Sequence, residues 1–233
     1  MTWPSFADVL GQDEAVARLR READAGRLAH AYLFEGMAGS GKSTLARSFA
    51  AFLFCLSRKG GSACGECRPC RLLASGNHPD YLELPREPER LAIGRFVERP
   101  GGAEAVEHTP LLAFLRLKPA EGARRVAVVP EAERMGDEPA NAFLKTLEEP
   151  PGDSILILTT NSRDRLPPTI VSRCRRIGMR PLAAPVLAGE LARRGLASGP
   201  AAAALALAAE GSLGAAIGLA GDDTLELWRW LEE

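Results

Sequence analysis

The sequence predicts an α/β fold: a parallel sheet covered by helices on both faces, with a cysteine-rich insertion and a small all-helical unit behind it. Three observations predict it. A glycine-rich turn, Gly36-Met37-Ala38-Gly39-Ser40-Gly41-Lys42-Ser43, lies between an apolar run and an amphipathic segment. Two further apolar runs, Arg125–Val129 and Ser154–Thr160, read as strands buried on both faces. Beyond Arg180-Pro181-Leu182 alanine, leucine and glycine dominate, as in small packed helices.

Taken in order, Val16, Leu19 and Ala23 recur at helical spacing and predict a helix within residues 13–29. Residues 30–35 form a short apolar run stopped by Gly36, a buried strand that leads into the glycine-rich turn. Leu45, Phe49, Phe52 and Leu53 make residues 43–56 a helix whose N-terminus sits at that turn. Prolines and the Gly101-Gly102 pair make residues 85–119 mostly loop, closed by one helix over 111–117 that Thr109 caps with Pro110 in its first turn. Residues 141–149 are helical in pattern and stop at Pro150-Pro151-Gly152. The alanine-rich stretch 201–209 is bounded by glycine and proline and reads as a helix rather than a linker. These elements divide into a core over 1–180, a helical unit over 181–221 and the start of a further region over 222–233, where Trp228 and Trp230 are packing residues.

Basic residues number 29 against 30 acidic, a net charge of −1, so the chain as a whole has no attraction for nucleic acid or an anionic membrane. The group Arg18, Arg20, Arg21 and Arg27 is the local exception, a solvated helix face that could also meet phosphates. No apolar stretch approaches the roughly 20 residues of a membrane helix, and Met1-Thr2-Trp3-Pro4 has no basic-then-apolar leader, so a cytoplasmic protein is expected.

The turn satisfies Gly-x-x-x-x-Gly-Lys-Ser in the strand-then-helix context that motif requires. Its glycines, Gly36, Gly39 and Gly41, let backbone amides face a phosphate, and the helix N-terminus adds partial positive charge. Lys42 is expected to bridge the outer phosphates, and Ser43, followed by Thr44, to ligate Mg²⁺. Turnover also needs a metal-holding carboxylate at a strand end, and here the strand Arg125–Val129 runs into Pro130-Glu131-Ala132-Glu133. Glu131 can still polarise water. Pro130 offers the metal nothing, unless Glu131 or Glu133 takes over.

Cys55, Cys64, Cys67 and Cys70 follow C-x8-C-x2-C-x2-C, soft ligands able to close a tetrahedral shell around a structural Zn²⁺. An iron–sulfur cluster is the chemical rival, but the x3-Cys-Pro of a ferredoxin run does not follow Cys70. Cys174 stands far from the other four, with no histidine near it in sequence to make it a nucleophile. His30, His78 and His108 are scattered and structural in expectation, with His78-Pro79-Asp80 a turn.

The phosphate loop, the cysteine cluster, Asn141-Ala142-Phe143-Leu144-Lys145-Thr146-Leu147-Glu148-Glu149-Pro150-Pro151 and Ser172-Arg173-Cys174 occur in this order. In that combination the chain resembles bacterial DNA polymerase III clamp-loader subunits of the AAA+ class, the delta-prime type first and the gamma/tau motor type next. The resemblance implies an AAA+ P-loop core with a zinc module, a helical lid and a collar. It implies ATP and Mg²⁺ as cofactors beside zinc. Its partners would be gamma/tau motor subunits, the delta subunit, the sliding clamp and, through the assembled complex, primer-template DNA in a nucleoid-associated replisome.

In that family the Ser-Arg-Cys arginine, here Arg173, reaches the neighbouring subunit's ATP site, where an always-charged planar guanidinium suits the transferring phosphate. Thr160-Asn161 matches the sensor-1 position that reads the outer phosphate. In Gly211-Ser212-Leu213-Gly214 the sensor-2 arginine of motor subunits is replaced by Gly214. Gly214 and Pro130 together imply a stator with weak or absent ATPase of its own; the alternatives are a gamma/tau-type motor and a stand-alone AAA+ switch. The collar over 222–233 would be truncated or abbreviated.

Overall fold

The computed structural model describes residues 3–86, 91, 93–97 and 110–221. The expectations for Thr109, His108, the Gly101-Gly102 turn, Trp228, Trp230 and the collar lie outside them. In chain order the elements are α1 (Asp13–Asp24), β1 (Ala31–Glu35), α2 (Lys42–Phe54), α3 (Arg68–Ala74), β2 (Tyr81–Glu83), α4 (Leu111–Arg116), β3 (Arg125–Val129) and α5 (Asp137–Glu148), then β4 (Ser154–Thr160), α6 (Pro168–Val171), β5 (Arg175–Gly178), α7 (Ala184–Arg193), α8 (Gly199–Ala208) and α9 (Leu213–Gly221).

The five strands form one parallel sheet in the order β2-β3-β4-β1-β5. Tyr32 of β1 stands opposite Ile157 of β4 and Arg175 of β5, which centres β1 and β4 and leaves β5 at an edge. Side chains alternate across a strand. Tyr32 and Phe34 therefore pack with Phe49, Phe52 and Leu19 under α1 and α2, while Ala31 and Leu33 pack with Phe143, Leu147 and Ile170 under α5 and α6. Burial on both faces explains why β3 and β4 read as unbroken apolar runs. Helices α7, α8 and α9 close around a separate cluster that includes Leu187, Leu191, Leu205 and Ala216.

Several boundaries differ from the sequence reading. Helix α1 ends at Asp24, because Ala25 caps it and Gly26 turns left-handed at φ 65°. Helix α5 begins at Asp137 rather than near 141, since Pro139 in a first turn forfeits no hydrogen bond. Pro110 is the N-cap of α4 rather than part of its first turn. Strand β5 was not anticipated: its burial pattern leaves only Ile177 inside, and its arginines read as surface.

A buried latch ties the far end of the sheet. Asp80, fully buried, accepts from the backbone N–H groups of Ala120, Glu121 and Gly122 at 2.7, 2.7 and 3.1 Å. The Arg125 guanidinium lies 3.5 Å from the same carboxylate, donates to Leu117 O and Lys118 O at 2.9 Å each, and covers the Phe114 ring at 4.6 Å. His78 stacks on Phe54 with ring centroids 4.1 Å apart, and burial pushes its pKa below the ordinary histidine value, so it packs as a neutral ring. Breaking a buried ion pair such as Asp80–Arg125 costs about 3–5 kcal/mol, because a charge is left buried alone.

Candidate nucleotide cavity and cysteine centre

Strand β1 delivers Glu35 to the loop and α2 starts at Lys42, so residues 36–41 must reverse direction within one turn. Gly39 and Gly41 do this at φ 72° and 93°, where a side chain is strained. Gly36 is held for a different reason: a Cβ there would lie 3.0 Å from Met179 O. Lys42 is 6% exposed, and its ammonium donates to Gly36 O at 2.8 Å and to Met37 O at 2.7 Å. Burial pushes its pKa down to about 8, with Glu133 and Glu131 opposing and Arg86 adding to the depression.

The loop opens onto a cavity of about 350 Å³ lined by Gly39, Gly41, Lys42, Ser43, Thr44, Arg86, Glu131, Thr159, Asn161, Arg194 and Gly214 among others. Most of the expected nucleotide residues meet there. Thr160 does not line it; it is fully buried and its hydroxyl accepts from Ser162 N–H at 3.1 Å, while Thr159 and Asn161 form that wall. Glu131 sits in a left-handed conformation at φ 50°, its N–H on Thr159 Oγ1 at 3.1 Å and its carboxylate on Arg134 at 2.6 Å. Glu133 accepts from Asn161 N–H at 3.0 Å and keeps Oε2 buried without a partner.

Two cavity arginines had no signal in the sequence. Arg86, beyond β2, donates to Ser43 Oγ at 2.6 Å. Arg194, at the end of α7, is fixed by Glu190 at 2.6 Å, a carboxylate it shares with Arg193. The Arg193 guanidinium, with Arg194 beside it, holds the Glu190 carboxyl down at about 2. A Glu followed by arginines three and four positions later is a helical pairing pattern, yet its direction toward the cavity is a tertiary fact.

The helical unit docks on the loop itself. Ser212 Oγ donates to Ala38 O at 2.8 Å and Gly214 N–H to Gly39 O at 3.1 Å. A Cβ on Gly39 would stand 2.3 Å from Ser212 Oγ, and one on Gly214 would stand 2.8 Å from Gly39 Cα. Position 214 is thus a backbone-to-backbone joint with no space for an arginine in this arrangement.

The four cysteines converge where α2 ends and α3 begins. Cys55 caps α2, Cys67 caps α3 and Cys70 lies in the first turn of α3. Their sulfurs lie within 4.8 Å of one another, against about 3.8 Å between ligands of a tetrahedral zinc with Zn–S bonds near 2.3 Å. Cys64 Sγ accepts from the N–H groups of Cys67 at 3.3 Å and Glu66 at 3.4 Å, and these donors bring its pKa down to about 6. Burial raises Cys55 and Cys70, thiols that a metal would have to deprotonate. The donor set fits a structural metal ion. Cys174, by contrast, is buried under α6 and pushed up to about 12, an inert thiol.

Arg173 follows α6 and does not line the chain's own cavity. Its side chain is 35% exposed, donating to Thr169 O at 3.0 Å and to Glu148 at 2.8 Å. The neighbouring cations are tied elsewhere, Arg175 to Glu22 and Arg176 to Glu35.

Residues 11–183 match the family described as DNA polymerase III, delta subunit. The chain belongs to that family. Among relatives of this delta-subunit family member, the DNA polymerase III subunit delta-prime of Pseudomonas aeruginosa is 45% identical over 146 residues, 63% of this chain and 42% of that protein. The delta-prime subunit of Bacillus subtilis is 33% identical over 182 residues, 78% of this chain and 51% of its own length. The tau/gamma subunit of Haemophilus influenzae is 34% identical over 178 residues, covering 76% of this chain and 24% of that protein. The chain spans about half, or less, of the length of these relatives.

Among solved structures, a gamma subunit-related protein of Thermotoga maritima superposes with a TM-score of 0.56 at 23% identity, covering 88% of this chain and 58% of that one. The RuvB Holliday junction branch migration motor of the same organism superposes with a TM-score of 0.59 at 17% identity, covering 94% and 63%. Those likenesses establish the fold, which is the AAA+ fold.

Proposed function

We propose that this chain acts as a delta-prime-type stator of a DNA polymerase III clamp loader, offering Arg173 to the ATP site of a neighbouring motor subunit while the sliding clamp is placed on primed DNA. The observation that carries the reading is the placement of Arg173. It is about a third exposed, oriented by two partners and outside its own cavity, a placement that favours a phosphate on another molecule. Glu148, 51% exposed, holds the guanidinium by a solvent-screened pair that a phosphate can replace at little cost. Lid and core boundaries are taken at 180 and 221.

The chain's own cavity supports nucleotide binding better than turnover. Its loop, Lys42 and the α2 N-terminus suit phosphates, whereas Pro130 and Gly214 remove two groups a motor uses. The intact loop and the unpartnered Glu133 Oε2 favour a gamma/tau-type motor as the second reading. A structural zinc held by Cys55, Cys64, Cys67 and Cys70 would pin the far end of α2.

Assembly tests the proposal. Mixed with gamma/tau and delta subunits, the chain is expected to co-elute and to bring clamp- and DNA-stimulated ATP turnover that the other subunits lack. A chain that stays apart would leave the stand-alone switch instead.

Nucleotide binding should also depend on pH in one direction. Binding selects protonated Lys42, whose pKa in the free cavity is about 8 and which a bound phosphate returns toward its ordinary value. ADP affinity is therefore flat below pH 8 and weakens above it, by about tenfold one unit higher. Titration calorimetry between neutral and alkaline pH checks this, with Lys42→Met losing the dependence. A flat profile for the unaltered chain would take the phosphate away from Lys42.

A further inference from the structure

A nucleotide's phosphate chain needs cationic partners, and Mg²⁺ supplies them only through near-octahedral oxygen ligands at about 2.0–2.1 Å. In a cradle of this design the protein offers that ion the first hydroxyl of the helix and a carboxylate at the neighbouring strand end. Here the hydroxyl is Ser43 Oγ, and the Arg86 guanidinium already donates to it at 2.6 Å. At the strand end stands Pro130. Of the acids that follow, Glu131 is bound to Arg134 at 2.6 Å, and Glu133 has given Oε1 to Asn161 N–H and retains a single free oxygen. Mg²⁺ takes most of its shell from phosphates and water, so what this chain adds is the Ser43 hydroxyl and a single carboxylate oxygen, and a guanidinium of like charge already stands at the Ser43 corner.

The geometry points to a cavity that takes a nucleoside di- or triphosphate without a divalent metal, Arg86 standing at the Ser43 corner in place of the ion and Arg194 approaching from the helical unit. It rests on the nucleotide reading above. The chemical consequence is specific. A guanidinium neutralises phosphate charge and donates hydrogen bonds, but it neither ligates a water nor lowers that water's pKa. Lys42, Arg86 and Arg194 all line one cavity, so binding charge is present without the means of turnover. The nucleotide then serves as a clasp between core and helical unit, since Arg194 comes from α7 and Lys42 from α2.

ATP titrated calorimetrically into the chain, in excess EDTA and in excess Mg²⁺, tests this. The affinities are expected to agree within about threefold. Arg86→Ala should weaken ATP about tenfold or more in EDTA, the loss of one charge-assisted contact, and should then gain affinity when Mg²⁺ is added. Arg86 is exposed, so the substitution leaves the core intact, and an unchanged melting temperature verifies it. An unaltered chain whose ATP affinity rises about tenfold with Mg²⁺ overturns the inference and leaves the nucleotide reading standing. Arg86→Ala binding as tightly as the unaltered chain in EDTA also overturns it. An absence of binding heat in both buffers overturns the inference and the nucleotide reading together.

Discussion

Arg173→Ala is expected to lower the clamp- and DNA-stimulated ATP turnover of a loader assembled with this chain by about 10³-fold or more. An arginine finger acts on charge that develops in the transition state, so the loss should fall on kcat and leave KM for ATP nearly unchanged. The chain itself should barely notice: the side chain is partly exposed, and its pair with Glu148 is of a kind worth about 0–1 kcal/mol. Arg173→Lys should fail to restore the rate, because a point charge cannot reproduce the bidentate fork. Lys42→Ala in the same loader should change turnover little. Equal losses from Arg173→Ala and Lys42→Ala would make this chain a motor, and no loss from either would end the clamp-loader roles assigned to both motifs.

Removing the metal should produce the largest effect on stability. A strong chelator, or the pair Cys64→Ser and Cys67→Ser, is expected to lower the melting temperature by about 10 °C or more, the equivalent of several kcal/mol in a chain of this size. Residues 56–66 have no core of their own: Leu56 is 75% exposed, and the local backbone order is the two-residue bridge between Lys59 and Ser62. A metal ion held by the four sulfurs would replace that core. Because Ser62 Oγ accepts from Phe6 N–H at 3.0 Å, release of the module should also loosen the segment before α1. Metal analysis should find stoichiometric zinc. Iron in its place would establish the cluster alternative, and a metal-free chain with an unchanged melting curve would remove the centre altogether.

The parts of this fold legible in the sequence were those governed by local pattern. Strands β3 and β4 were readable to the residue because both faces are buried, and the loop was readable because glycine, lysine and serine have separate chemical reasons to occupy their positions. Strand β5 was not, since an edge strand with only Ile177 inside carries no apolar run. Helix α3 was hidden within the cysteine spacing, where metal ligands displace the helical pattern. The cavity was half legible. Lys42, Ser43 and Asn161 announced themselves by motif, whereas Arg86 and Arg194 reach it from distant elements and look like ordinary surface cations in the sequence. The Asp80–Arg125 latch was missed for the same reason, a charged pair whose burial only the folded chain creates.

The joint between Gly39 and Gly214 has a mechanical meaning. The backbones of Gly39 and Gly214 meet directly, and the two hydrogen bonds beside them, from Gly214 N–H and Ser212 Oγ, use carbonyls of the phosphate loop itself. Side chains absorb small displacements by changing rotamer, and bare backbone does not. A shift in the loop's peptide planes therefore reaches the start of α9 directly and, because Ala216 and Ala220 pack with Leu187, Leu191 and Leu205, bears on the helical unit as one body. The phosphate loop is thus the fulcrum between the core and the helical unit.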